Sequence, residues 1–539
     1  MIALGRVVAR GCFAALFSTI WPEVVVGQSV PISISIDAGG EFERYLRVLQ
    51  LVGMTPEGQW TIRPFGPIER KAQTLAPRHP WASLPDSLRP APNRWSVVAP
   101  RIGVVENTGF PYGFNDGPVW AGRGFTLSGS GGVAGRASKF SGQLAPLAFI
   151  SENAAFHLAP GSSFADWDHP SMIDLPQRFG SRSYGRLDAG ESWLRFDTPL
   201  VTTGVSTQAQ VWGPAIEEPI ILGNNAGGFL HAFVGTGAPI PVGVGQLHGK
   251  IIWGVLDQSA YAVDNDSATT ARHFATGAIG SFRFRRPRGL EIGGARFFHT
   301  PWNHGTLSDV PWTRTFEAFL KDRLPSSVTN PNGDNPDNQL ASLFFRWAFA
   351  PTGFEVYGEF GREDHSGDFR DLAAEPDHDS AYLLGLQRAW LSKQQGSIGV
   401  FRMEILNSRL SHLMGQTPWY VHNFIRQGHT ERGQLLAAPG GYGGGGASFA
   451  YDRYTAGRRS TIRIDRLLLG EERASSSLPI GSDADVSYAL RVERVTFTPS
   501  GEVAISAGVV REFNRYFGGD AWNLNLTSSI AAFRLGAGR

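Results

Sequence analysis

The chain has 539 residues, enough to bury a large core or close a large sheet. Lys+Arg of 49 against Asp+Glu of 48 leaves a net charge of +1, without the basic surplus of a nucleic-acid binder. At 18% charged residues and a mean hydropathy of -0.15, neither a disordered chain nor a helical membrane bundle fits, whereas 66 glycines and 12% aromatics point to many strands and turns.

At the N-terminus, Arg6 and Arg10 precede an apolar run from Cys12 to Trp21, and Val25-Val26-Gly27 offers a cleavage site before Gln28, the pattern of a signal peptide over residues 1–27. Cys12 is the single cysteine and falls inside it, so the mature chain is expected to hold no thiol and no disulfide. No later stretch is long and apolar enough for a spanning helix, so any membrane contact must come through a barrel or from one side. Residues 28–93 read as a small helical, polar region with a linker. Asp37 is the expected cap of a helix over Glu41 to Met54, where Phe42, Tyr45, Leu46, Leu49 and Val52 form one stripe. A short helical pattern over Ile68 to Leu75 and the proline-rich stretch Pro77 to Pro92 lead to a boundary near Arg94.

From residue 94 to 539 the period becomes two. Val201, Val205, Ala209 and Val211 alternate with Thr202, Ser206, Gln208 and Gln210. Phe282 and Phe284 alternate with Arg283 and Arg285, and Leu343, Phe345, Trp347 and Phe349 with Ser342, Arg346 and Ala348. The pattern recurs in Phe354, Val356 and Phe360 against Glu355, Tyr357 and Glu359, and in Phe401, Met403 and Ile405 against Arg402 and Glu404. Near the end it returns in Ile462 and Ile464 against Arg463 and Asp465, and in Trp522, Leu524 and Leu526 against Asn523 and Asn525. This predicts an all-β, antiparallel transmembrane outer-membrane barrel of about 16–18 strands, with charges facing a lumen. A soluble sandwich or propeller would bury the apolar face instead, and no repeat near 40 residues supports one. The connections Glu152–Gly190, Gly213–Gly245, His299–Gln339 and Asn407–Gly446 are long, as functional outer loops are. Within one of them, Thr313 to Leu324 has helical spacing and could fold over or into the lumen.

Catalytic signals are poor. There is no G-x-S-x-G, H-E-x-x-H or C-x-x-C. The dinucleotide-like Gly129 to Ala134 sits among strand residues, and the Gly440 to Gly446 run lacks the Lys of a phosphate loop. His299 with His304, or Asp364, His365, Asp377, His378 and Asp379, read as solvated loop tips before they read as metal ligands, so no metal and no cofactor is expected. Glu355 and Glu359 share a strand face as glycosidase carboxylates could, although pairing with lumen arginines explains them more simply.

Gln210-Val211-Trp212-Gly213-Pro214, followed by Ile220-Ile221-Leu222-Gly223-Asn224-Asn225-Ala226, resembles the signature of the Wzi-like capsule-assembly proteins. Leu187 to Arg195, Glu355 to Asp364, and Tyr420 to Gly428 with Arg432-Gly433 are similar to the same family, in order along nearly all of the mature chain. The resemblance implies an outer-membrane barrel of eighteen strands with a small periplasmic helical part. It also implies a non-catalytic lectin that holds capsular or related exopolysaccharide at the cell surface. A porin and a polysaccharide-modifying enzyme are the competing functions. Flat aromatics, amides, carboxylates and Arg forks suit sugar rings and acidic substituents, so Trp212, Asn224, Asn225, Glu359, Asp364, Tyr420, Arg426 and Arg432 are the binding candidates. Each also has a structural reading, as a strand end, a turn cap or a lumen ion pair. The expected partners are the polysaccharide and outer-membrane lipid, with no nucleic acid, for a protein acting as a monomer.

Overall fold

The computed structural model describes residues 36–66, 95–158, 173–262, 272–302, 310, 312–317, 337–350, 352–363, 369–392, 396–409, 419–422, 425–455, 457–469, 484–498, 501–515 and 519–532. The proposed leader over 1–27, the pattern at Ile68 to Leu75, the linker, His304, Asp364 and His365 lie outside these residues.

Antiparallel staves in sequence order close into a barrel of 18 strands. The first, Trp95–Asn107, pairs with the last, Ala521–Ala532, from Arg101 opposite Ala531 to Asn107 opposite Asn525. The alternation read from the sequence is the in–out alternation of the wall. Leu343, Ile462 and Leu490 lie exposed on the outer face, whereas Ser342, Arg346, Asn523 and Asn525 are buried inside. A bare apolar belt around a closed sheet is the surface of a membrane-spanning barrel, since closure pairs every backbone group and leaves no edge. No helix of the described residues is long and apolar enough to cross a membrane. Tight turns such as Thr455–Arg458 and Thr498–Gly501 join staves at one end, and long connections such as Asn107 to Gly124, Ser206 to His231 and Asn407 to Gly445 cluster at the other. By the usual asymmetry the long-loop end faces outward.

The pattern around Val201 ends sooner than its alternation suggests. The stave stops at Ser206, and Val211–Trp212 pairs instead with Ile62–Arg63 in a two-stranded sheet. Arg285 lies exposed in a turn, beyond the stave that ends at Phe284. The dinucleotide-like letters fall on the stave Gly124–Ala137, with no helix behind them.

The N-terminal segment sits at the tight-turn mouth. Its helix, Glu41–Leu51, starts at Gly40 rather than at Asp37, and Gly40 carries no side-chain cap. Beyond the expected stripe, Arg47, Val48, Gln50 and Leu51 are buried too, because Tyr45, Leu46 and Leu49 pack on Ala348, Ala389, Val400 and Tyr454 of the barrel wall. A helix buried on most of its faces is one enclosed by other elements. In the loop expected to be helical over Thr313 to Leu324, the described part is a short 3-10 turn at Arg314–Phe316. It lies against the outer wall, where Trp253 donates to the Trp312 carbonyl, and residues 318–336 lie outside the described set.

Candidate functional site at the outer mouth

The lumen is filled from both ends, and the Trp-Gly-Pro run is where the two fillings meet. Trp212 N–H donates to Leu222 O at 3.1 Å, and Gly213 N–H to Thr61 O at 2.9 Å. Arg63 spans Gly213 O and Ala215 O and pairs with Glu43, while Arg47 reaches Pro214 O at 2.9 Å and pairs with Glu355. Arg346 holds the other oxygen of Glu355, and Gln387 donates to Glu355 at 2.8 Å. Glu404 on the wall accepts the N–H groups of Ile216, Glu217 and Glu218 together with the Tyr357 hydroxyl. Glu217 in turn binds Arg402 and Arg463. Charged groups this deep persist only when paired, and these pairs fix the plug to the wall.

Above that layer, residues 220–223 cross beneath the loop that ends in Leu435 to Ala438. Tyr420 donates its hydroxyl to Ile220 O at 2.7 Å and stacks on His429, whose ring meets Ile221 O and His299. Burial holds the His429 imidazole down at about 4, so it acts as a neutral hydrogen-bonding wedge. Arg432 pins this lid to the wall through Asp188 and Asp257, and pairs within the lid with Glu431.

On the outward side of the lid lies a cavity of about 220 Å³ with aromatic walls, formed chiefly by Phe110, Tyr112, Phe114, Trp120 and Tyr442. Its loop is set by the barrel seam. Asn523 and Asn525 donate to Asn107 Oδ1, and Asn107 Nδ2 donates to Tyr112 O and Ala121 O. Arg515, locked to Glu512, lies 4.2 Å from the Phe110 ring centroid, and Gln177, Asn225 and Gln434 add polar edges. Below, separated by Phe114, a crescent cavity of about 580 Å³ runs between plug and wall. It exists because the staves facing it carry Ala99, Ser130, Gly131, Ala504 and Ala531, too small to reach the plug.

Of the residues singled out from the sequence, only Asn225 lines the aromatic cavity, and its amide is already engaged with Leu435 O and Asn115 N–H. Asn224 borders the crescent and donates to Asn115 O. Trp212 and Tyr420 are 0% exposed, with no ring face open to a sugar. Glu359 is buried against Gly213, Arg426 is half-buried, and Asp364 is outside the described residues. Sequence reasoning missed Phe110 to Trp120, although an aromatic, proline- and glycine-punctuated run between two staves was the available signal. Among the described residues, no group of three His, Cys, Asp or Glu side chains is placed to hold a metal. His378 pairs instead with Asp379 at 2.9 Å.

A family model for capsule assembly protein Wzi matches residues 113–454, well over half of the chain. The chain belongs to the Wzi capsule assembly family. No curated protein matches its sequence. Among solved structures it is similar to Wzi of Escherichia coli, an outer-membrane protein described as a carbohydrate-binding β-barrel involved in group 1 capsule assembly. That likeness has a TM-score of 0.62 at 16% identity over 93% of this chain and 99% of that one. OccK5 (OpdH) of Pseudomonas aeruginosa follows with a TM-score of 0.40 at 9% identity, covering 82% and 98%. The span matched to the Wzi family holds the outer filling and lid from Gln210 to Tyr442 but not the helix Glu41–Leu51, and it stops at Tyr454, before the last four staves.

Proposed function

We propose that this protein is a non-catalytic outer-membrane lectin that retains capsular or related exopolysaccharide at the outward mouth of its barrel. The aromatic cavity carries the reading: flat rings at the outward end, edged by amides and an Arg–Glu pair, above a lumen filled by the chain itself. Membership of a capsule assembly family and the description of the E. coli protein support it. Glu355 is committed to Arg47 and Arg346, and Glu359 is buried beneath the plug, which favours binding over hydrolysis. In this reading residues 1–27 are a leader, 28–93 close the periplasmic mouth, 94–539 form the barrel, and one copy acts without cofactor. Among the sequence candidates, Asn225, Arg426 and Arg432 keep a part in glycan retention by shaping the lid.

The test is retention of labelled surface polysaccharide by the purified protein. Trp120→Ala and Tyr112→Ala are each expected to weaken it by about 1 to 3 kcal/mol while the boiling-dependent gel shift persists. Unchanged retention by folded variants, or release of glycan products by the parent protein, would sink the proposal.

A further inference from the structure

The last four staves carry a row of side chains on the outer wall that neither the plug nor the mouth uses. Arg466 stands directly opposite Tyr488, Tyr488 opposite Arg511, and Arg511 opposite Trp522. All four share the outward face with Ile462, Ile464, Leu490, Val492, Val509 and Leu524, and lie on the long-loop side of these apolar residues. The row therefore sits at the outward rim of the lipid-facing belt, at headgroup level of the outer leaflet. Its members organise one another. Arg466 Nε donates to the Tyr488 hydroxyl at 3.2 Å, and the Arg511 guanidinium lies 4.7 Å from the Trp522 ring centroid and 5.0 Å from that of Phe513. Arg511 also pairs with Asp520, which is 46% exposed.

Other outward-facing arginines near that rim are used differently. Arg296 and Arg362 both stand opposite Ala341, and their guanidiniums turn to carbonyls of loops folded over them, at Thr315, Glu317 and Glu375. Arg466 and Arg511 instead flank a phenol on a wall above bare apolar side chains. Across two strand spacings of roughly 5 Å each, both guanidiniums can converge on one group held over Tyr488.

We propose that Arg466, Tyr488, Arg511 and Trp522 form a docking site for the phosphorylated sugar headgroup of an outer-leaflet glycolipid. The guanidiniums supply forked donors to phosphate, the indole and phenol offer faces to the sugar, and the aliphatic belt below receives the acyl chains. The row lies beyond the span matched by the family model, so family membership does not supply it. The inference rests on the outer-membrane location and is independent of where the polysaccharide binds.

The experiment is native mass spectrometry of the full-length mature protein in detergent, titrated with bis-phosphorylated lipid A, with the same lipid A after phosphatase treatment, and with inorganic phosphate as competitor. The parent protein is expected to retain the phosphorylated lipid at least about tenfold better than the dephosphorylated one. Arg466→Gln with Arg511→Gln should abolish that preference while gel shift and polysaccharide retention stay unchanged. Asp520→Asn, which frees Arg511 for phosphate, should strengthen it. Equal retention of the two lipids, or a folded double variant that keeps the preference, overturns the proposal. So does complete displacement by inorganic phosphate, which would mark a simple anion site rather than a lipid site.

Discussion

At the scale of single residues, the family motif acts on architecture. Trp212 is enclosed, its ring edge-on to Phe297 with centroids 6.4 Å apart. Trp212→Ala is therefore expected to cost about 3 to 5 kcal/mol of stability and to lower the midpoint of the heat-dependent gel shift, while molecules that fold retain glycan normally. Gly213 adopts φ +86, and a Cβ there would strike the Glu359 carboxylate, so this position requires glycine. Glu218 gives a pH signature. Burial pushes its carboxyl up to about 8, against the Gly440 N–H that it accepts at 2.9 Å. The unfolded group ionises near 4.5, so its contribution to stability is full below that value and is lost as pH rises toward about 8. Glu218→Gln, which can still accept from Gly440, is expected to leave the gel-shift midpoint unchanged near pH 4 and to raise it by roughly a few degrees near pH 8.5. That Trp212 and Tyr420 matter was visible in the sequence, because aromatics stand there beside Gly, Pro and His. What they touch was not, since Ile62 and Phe297 meet Trp212, and Ile220 meets Tyr420, only through folding.

At the scale of elements, the wall was far more legible than the plug. Staves such as Asn338–Phe349 and Ser397–Asn407 announce themselves because lipid on one side and a polar lumen on the other impose a period of two, residue by residue. The plug has no such two-sided environment. Glu41–Leu51 showed its stripe, yet the burial of Arg47 and Gln50 depends on Glu355, Trp60 and Arg346, which periodicity does not reveal. The same ion pairs make the plug testable by itself. Glu355→Ala would leave Arg47 buried without a carboxylate partner and Arg346 with only Glu291 at 3.8 Å, at a cost of about 3 to 5 kcal/mol. Limited proteolysis is expected to cut the N-terminal segment early in this variant while the barrel still shows its gel shift, with Glu355→Gln intermediate. Simultaneous loss of both would mean that plug and wall fold as one unit.

At the scale of the whole molecule, the question is whether a barrel with a cavity of about 580 Å³ beside its plug conducts. The crescent is bounded by opposed charges, with Arg459, Arg463 and Arg491 on one side and Asp37 and Glu191 on another, and Phe114 stands between it and the outer cavity. A passage so lined, with the helix Glu41–Leu51 at one end and the loop from Phe110 at the other, should support no large steady current in planar bilayers. Removing residues 36–66 takes away the helix, the strand that pairs with Trp212, and both Arg47 and Arg63, so the loop around Pro214 loses its anchors. The deletion variant, refolded to a heat-modifiable barrel, is expected to show stepwise conductance that the full chain lacks. Equal silence from both would mean that Glu404 and the Tyr420 lid seal the lumen without the N-terminal segment. A large current from the intact chain would instead move the function toward solute transport.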